Sequence, residues 1–130
     1  MNRTQERKIA FEIIFTFPFR IDKSIDEIIE SYSDYYESES LSDYIVGTVR
    51  GVYENLDEID EKIKCSIKSR RFERLDNVCL AAMRLAVYEM LYNDGVPVPV
   101  AINEAIELTK QYDDSLAAFV HGNLGIIAKG

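Results

Sequence analysis

The sequence predicts an all-α protein, a compact bundle of about six or seven helices. Apolar residues recur at helical spacing along most of the chain. No segment alternates apolar and polar residues for long enough to form a strand, and no Asn-Gly hairpin turn occurs. With 130 residues, 47 % of them apolar, the chain has enough material for one core. We therefore expect residues 1–130 to form a single domain.

The first two helices have clear boundaries in the sequence. Apolar residues predict a helix over 4–17, and Pro18 ends it because proline lacks the backbone N–H that a helix interior needs. Ser24 and Glu27 have the spacing of a capping box at the start of the next helix. The polar stretch 37–40 reads as a loop.

Residues 41–67 carry a long helical pattern that permits two interpretations. The pattern fits one continuous helix, or two helices with a break at Asn55, whose side chain would cap the second. Gly47 and Gly51 lie four residues apart on this stretch. They either allow a neighbouring helix to come close or are simply tolerated there.

Three further helices complete the predicted bundle. Residues 76–92 are apolar over a broad surface, which is typical of a central helix. Residues 93–99 hold a helix stop signal and then Val-Pro-Val-Pro, a rigid extended connector. The last two helices are predicted at 100–112 and 116–128, the second capped by Ser115.

The charge is acidic overall but unevenly distributed. A net charge of −8 argues against a generic nucleic-acid-binding protein. Residues 25–64 hold twelve acidic and three basic side chains, whereas residues 65–84 hold five basic and two acidic ones. Such asymmetry is consistent with a local basic patch or with ordinary solvated helix faces.

Catalytic and metal-binding residues are scarce. His121 is the single histidine, and no Gly-rich phosphate loop or Cys-x-x-Cys occurs. Cys79 falls on an apolar helix face, so we interpret it as a core residue rather than a nucleophile paired with His121. We therefore expect no catalytic residue, no metal and no cofactor. The absence of an h-region or a membrane-length apolar run predicts a cytoplasmic protein.

Two clusters of basic residues are candidates for RNA binding. Arg3, Arg7 and Lys8 lie in the first helix. A second cluster surrounds Phe72 and consists of Lys68, Arg70, Arg71 and Arg74. Guanidinium groups bind phosphates in a bidentate manner, and aromatic rings stack on unpaired bases. This combination suits single-stranded RNA.

Several motifs then point to one family. The segment 99–110 reads Pro-Val-Ala-Ile-Asn-Glu-Ala-Ile-Glu-Leu-Thr-Lys, residues 119–122 read Phe-Val-His-Gly, and residues 83–89 read Met-Arg-Leu-Ala-Val-Tyr-Glu. Together with Arg7-Lys-Ile-Ala at the start, these resemble the NusB family of transcription antitermination factors. The resemblance implies two packed helical subdomains, binding of boxA RNA, a heterodimer with the ribosomal protein NusE, and entry into the RNA polymerase antitermination complex.

The resemblance also implies site residues. The implied RNA-binding residues are Arg3, Arg7, Lys8, Arg70, Arg71 and Phe119. Phe119 matches the signature phenylalanine, although it can also be read as a core anchor. His121 stands where the family usually has asparagine, and Cys79 stands where relatives are often acidic. For NusE, the implied contacts are Phe15 and the start of the helix at Asp76.

Other functions remain open from the sequence. A protein–protein adaptor could keep the NusB fold and lose RNA binding, an interpretation that the sparse arginines at the N-terminus favour. NusB-like domains also precede an RNA cytosine methyltransferase domain in some proteins, although this sequence shows no methyl-donor site. Because relatives differ in oligomeric state, the sequence does not decide between a monomer and a homodimer.

Overall fold

The fold is known from a computed structural model that describes residues 1–35, 41–68 and 71–130. Within these ranges the chain is helical and contains no strand, which confirms the predicted fold class. The described α-helices are α1 (Arg3–Phe15), α2 (Ile25–Tyr35), α3 (Asp43–Glu54), α4 (Leu56–Ile67), α5 (Asn77–Tyr92), α6 (Val98–Tyr112) and α7 (Ala117–Lys129). None of the helices in these ranges is both long and apolar enough to cross a membrane.

The first two helices begin with capping boxes. Asn2 and Gln5 cap α1 reciprocally, a capping box that was not predicted from the sequence. Ser24 and Glu27 cap α2 as predicted, with N···O distances of 3.1 and 3.0 Å. Helix α1 ends earlier than predicted, at Phe15, and Pro18 lies in a short 3₁₀ turn that follows it.

The stretch 41–67 forms two helices. Helix α3 ends and α4 begins on either side of Asn55, so the interpretation with a break is confirmed. The predicted capping role of Asn55 is wrong, because its amide donates back to the carbonyl of Gly51 at 2.8 Å. A Cβ atom at Gly51 would overlap the ring of Tyr88, whereas Gly47 faces open space. Only Gly51 therefore permits a close approach.

The predicted starts of the last two helices need correction. Helix α6 begins at Val98, with Pro97 as its N-cap. Pro99 fits within the first helical turn because a proline there sacrifices no hydrogen bond. Ser115 does not cap α7. It lies within the 3₁₀ turn Asp114–Leu116, where the Asp113 carboxylate accepts bonds from both its backbone N–H and its hydroxyl.

Helix α5 is the centre of the bundle, as predicted. It packs against α1, α3, α4, α6 and α7 and is buried over most of its length. A short connection makes α5 and α6 antiparallel neighbours. Arg7 and Phe11 of α1 contact Glu104 and Tyr112 of α6 in the same order, so α1 runs parallel to α6 and antiparallel to α5.

This arrangement gives α5 two distinct ends. The start of α1 lies at the C-terminal end of α5, beside Glu89, and Phe15 lies toward the N-terminal end, where Asp76 is the N-cap. At 1.5 Å per residue, Asp76 and Glu89 are about 20 Å apart along the helix. We call these the Asp76 end and the Glu89 end.

Candidate nucleic-acid interface

A groove of about 500 Å³ opens at the Asp76 end, and we call it the α5 groove. Its walls come from the segment before α5, the first turns of α5 and the start of α7. The residues that define its chemistry are Arg71, Arg74, Asp76, Cys79, Leu116 and Phe119. Arg71, Phe119 and Asp76, predicted separately from the sequence, therefore surround one cavity.

Local structure presents the arginines of the groove to solvent. After α4, Lys68 adopts a left-handed φ of 52°, which turns the chain away from the helix axis. The segment then enters a 3₁₀ turn at Phe72–Arg74. Phe72 is partly buried and lies 5.1 Å from the ammonium of Lys64, so it anchors the turn.

The charges in the groove leave its guanidinium groups accessible. Arg71 is 3.9 Å from Glu73, but both side chains are more than 70 % exposed, so this pair holds the arginine weakly. Arg74 is also exposed. The Asp76 carboxylate accepts the backbone N–H of Val78 at 2.7 Å and thereby occupies the start of α5. An anion entering the groove would therefore bind the arginines rather than the helix terminus.

Phe119 lies between the core and the α5 groove. Its ring is partly buried and packs against the core, and it also lines the α5 groove. A ring fixed by packing on one face can offer the remaining surface to a base at little entropic cost. Cys79, only 2 % exposed, also lines the groove, in agreement with its predicted burial.

Arg7 is the main correction to the predicted RNA-binding set. It is 4 % exposed, and its guanidinium forms a bidentate pair with Glu89 at 2.9 and 3.0 Å. Glu104 lies 3.8 Å away. Burial disfavours the charge on Arg7, but the hydrogen bonds and charge of Glu89 outweigh it and raise the pKa of Arg7. The guanidinium is therefore buried and paired with Glu89, so it is not accessible to a phosphate.

The other two N-terminal basic residues are exposed at the Glu89 end. Arg3 is 3.3 Å from Glu6, and its guanidinium lies 4.1 Å from the ring centre of Tyr44. The pKa of Glu6 is lowered by a hydrogen bond from Ser42 and then by Arg3. Lys8 is exposed to solvent. Arg3 and Lys8 therefore lie toward the opposite end of the bundle from the α5 groove.

The remaining predicted site residues divide as follows. Phe15 is partly buried, with its ring 6.5 Å from Phe11 and 5.8 Å from Phe19. Phe15 therefore lies toward the Asp76 end, the end at which the other residue predicted to contact NusE, Asp76, is the N-cap of α5. Arg70 lies outside the described residues. The residues that the family resemblance implied did not include Leu116 or Arg74, although the sequence placed Arg74 in the basic cluster around Phe72.

These observations define an all-α bundle with an open groove that combines arginines with an aromatic ring. The model of the NusB family matches residues 4–129, and the chain belongs to that family. It is 37 % identical to the transcription antitermination protein NusB of Acetivibrio thermocellus, over 99 % of this chain and 90 % of the relative. Identity to the protein of the same name from Pseudothermotoga lettingae is 38 %, over 98 % and 91 %.

Solved structures show the same fold. A crystal form of T. maritima NusB has a TM-score of 0.85 and 32 % identity, over 99 % of this chain and 92 % of that one. A structure of the antitermination factors NusB and NusE in complex with double-stranded RNA has a TM-score of 0.83. It covers 99 % of this chain and 98 % of the matched chain, and at 24 % identity it supports the fold alone.

Proposed function

We propose that this protein is a transcription antitermination factor that binds boxA RNA together with NusE and joins the RNA polymerase antitermination complex. It acts as a single RNA-binding domain and performs no covalent chemistry. The carrying observation is the α5 groove, in which Arg71 and Arg74 stand beside Phe119. Family membership supports the antitermination role. A similar solved structure contains NusE and RNA, and boxA is the RNA that the family resemblance implies.

The groove suggests how RNA would be held. The two guanidinium groups would neutralise neighbouring phosphates, and an unpaired base would stack on the exposed part of the Phe119 ring. Arg70, whose sequence position adjoins Arg71, remains a predicted third phosphate contact. Arg3 and Lys8 remain predicted contacts for RNA that extends toward the Glu89 end.

A protein partner would strengthen this binding. The net charge of −8 weakens the long-range attraction of RNA to the free protein. Phe15 and Asp76 lie at the same end of α5 as the groove, so a basic NusE bound there would adjoin the RNA. We therefore expect modest RNA affinity for the protein alone and higher affinity for the heterodimer.

Fluorescence anisotropy with a labelled boxA RNA tests this proposal. The RNA is titrated with the protein at two salt concentrations, with and without NusE, and a scrambled RNA serves as control. The proposal predicts salt-sensitive binding that NusE strengthens and that the scrambled RNA lacks. Equal binding of both RNAs, or no binding in any condition, would contradict it.

The second candidate function is a protein–protein adaptor that keeps the fold without RNA binding. Two observations favour it: Arg7 is buried in an ion pair, and Arg3 is engaged by Glu6 and Tyr44. The N-terminus then offers few available cations to RNA. Complex formation with NusE in the absence of any RNA binding would support the adaptor.

A further inference from the structure

The α5 groove contains two polar side chains besides its arginines. Asp76 and Ser115 both line it, and both residues are exposed to solvent. The volume of the groove, about 500 Å³, is in the range of small-molecule sites, so it is large enough for one base. A base stacked on Phe119 therefore shares this space with Asp76 and Ser115.

The cap of α5 uses only one of the two carboxylate oxygens of Asp76. Oδ1 accepts the backbone N–H of Val78 at 2.7 Å. Within the described ranges, Oδ2 accepts no hydrogen bond and Asp76 forms no ion pair. Each oxygen of an ionised carboxylate can accept hydrogen bonds, so Oδ2 is available to a ligand in the groove.

The hydroxyl of Ser115 is also an acceptor toward the groove. It donates its one hydrogen to the carboxylate of Asp113, with an O···O distance of 2.6 Å. Its lone pairs remain, because a hydroxyl combines one donor with two acceptor sites. The groove therefore pairs guanidinium donors, which suit phosphates, with two oxygen acceptors, which suit amino groups.

The negative charge of Asp76 needs an explanation of its own. A carboxylate beside Arg71 and Arg74 weakens the attraction of phosphates to the groove. Helix capping does not require the charge, since asparagine and serine cap a helix about as well as aspartate does. Recognition of a base accounts for it, because a carboxylate discriminates strongly between base edges.

Base edges differ in the donors that they present to a carboxylate. Guanine presents N1–H and the N2 amino group side by side, whereas adenine and cytosine each present one amino group. The corresponding edge of uracil has a single N–H between two carbonyl oxygens, which a carboxylate repels. In unpaired RNA these edges are open to recognition by side chains.

We propose that Asp76 is a specificity-determining residue of the α5 groove, which selects an unpaired base with an amino group, guanine above all, and rejects uracil. The Oδ2 atom of Asp76 accepts the amino group, and Ser115 offers a second acceptor beside it. The inference rests on the proposed RNA-binding function and adds a base preference to it.

Pentanucleotide RNAs that differ only in the central base test this preference. NMR titration of the isotope-labelled full chain measures the affinity for UUGUU, UUUUU and UUIUU, in which inosine lacks the amino group of guanosine. We expect UUGUU to bind about tenfold more tightly than UUUUU, a factor within the discrimination typical of base contacts. UUIUU should lie between them because it keeps N1–H.

Two variants separate the charge of Asp76 from its capping role. Asp76→Ser and Asp76→Asn both keep a helix cap, so circular dichroism should show an unchanged fold, and both should bring the three affinities close together. Asp94→Ser removes the same charge from an exposed site at the Glu89 end and should preserve the tenfold preference. The readout is the ratio of affinities, because phosphate contacts act on all three RNAs alike.

The possible outcomes separate this inference from the proposed function. Binding that Arg71→Ala with Arg74→Ala weakens, but whose base preference Asp76→Ser leaves unchanged, would overturn the role of Asp76 alone. An unchanged preference together with loss of the strengthening by NusE would assign Asp76 to the NusE surface instead. No binding of any of the three RNAs would overturn the RNA-binding function and the inference with it.

Discussion

The two ends of α5 use arginine in opposite ways. At the Glu89 end, Arg7 is buried and forms a bidentate pair with a carboxylate that is itself 1 % exposed. At the Asp76 end, Arg71 and Arg74 are exposed around a groove that contains an aromatic ring. Burial, rather than residue type, therefore separates an arginine that stabilises the fold from one available to a ligand.

At the Glu89 end, Arg7, Tyr44 and Glu89 form a hydrogen-bond network inside the protein. The Tyr44 hydroxyl donates to Glu89 at 3.0 Å, so the carboxylate accepts hydrogen bonds from two side chains, Arg7 and Tyr44. Removing Arg7 leaves the buried negative charge of Glu89 uncompensated, which costs more than the complete pair contributes. We therefore expect substitutions at this end to affect folding first.

The largest expected effect is that of Arg7→Ala. Glu89 would keep the Tyr44 hydroxyl as a partner but would remain buried without a compensating positive charge, and the free energy of unfolding should fall by about 3–5 kcal/mol. Urea denaturation followed by circular dichroism measures it. Lys8→Ala, next to it on the exposed face, is the control and should change stability by less than about 0.5 kcal/mol. Similar stability for the two variants would mean that Arg7 is not held as described.

A substitution at Phe119 probes the other end. Phe119→Leu keeps an apolar side chain against the core but removes the ring, so affinity for boxA RNA should fall by about 1–3 kcal/mol per stacked base. Anisotropy measures the affinity, and the thermal midpoint checks the fold. Leu116→Met, a substitution of similar volume in the same groove, should leave the affinity nearly unchanged. Undiminished binding by Phe119→Leu would make Phe119 a core anchor only.

Tyr44→Phe should give a smaller effect that depends on pH. Losing the hydrogen bond to Glu89 should cost about 1–2 kcal/mol of unfolding free energy at neutral pH. Burial, followed by the negative charge of Glu89, raises the pKa of Tyr44 well above its usual value. Above about pH 10 the unfolded chain therefore loses this proton first, and the stability of the unchanged protein declines as pH rises.

The variant lacks this hydroxyl, so its decline at alkaline pH should be shallower. Urea denaturation between pH 8 and pH 11 (about the range in which tyrosine begins to ionise) compares the two proteins. Tyr53→Phe, at an exposed tyrosine, is the matched control. Parallel curves for Tyr44→Phe and the unchanged protein would contradict the raised pKa.

The fold was largely predictable, because apolar spacing and caps are local signals. The capping box at Ser24 and Glu27 and the central position of α5 follow from the sequence. The burial of Arg7 could not be predicted from the sequence, because its partner Glu89 is 82 residues away and only tertiary packing brings the two together. Sequence motifs likewise indicated Arg71 and Phe119 separately, but could not show that they share a groove.

The most direct test compares two double variants in boxA anisotropy at two salt concentrations. Arg71→Ala with Arg74→Ala removes the cations of the α5 groove, and Arg3→Ala with Lys8→Ala removes the exposed cations of the Glu89 end. We predict that the first lowers affinity about tenfold or more and reduces the salt slope by about 1.4, since each single-strand phosphate contact contributes roughly 0.7. Arg3→Ala with Lys8→Ala should lower the affinity by a smaller factor. A larger loss in the second variant, with both folded, would contradict the assignment of RNA binding to the Asp76 end.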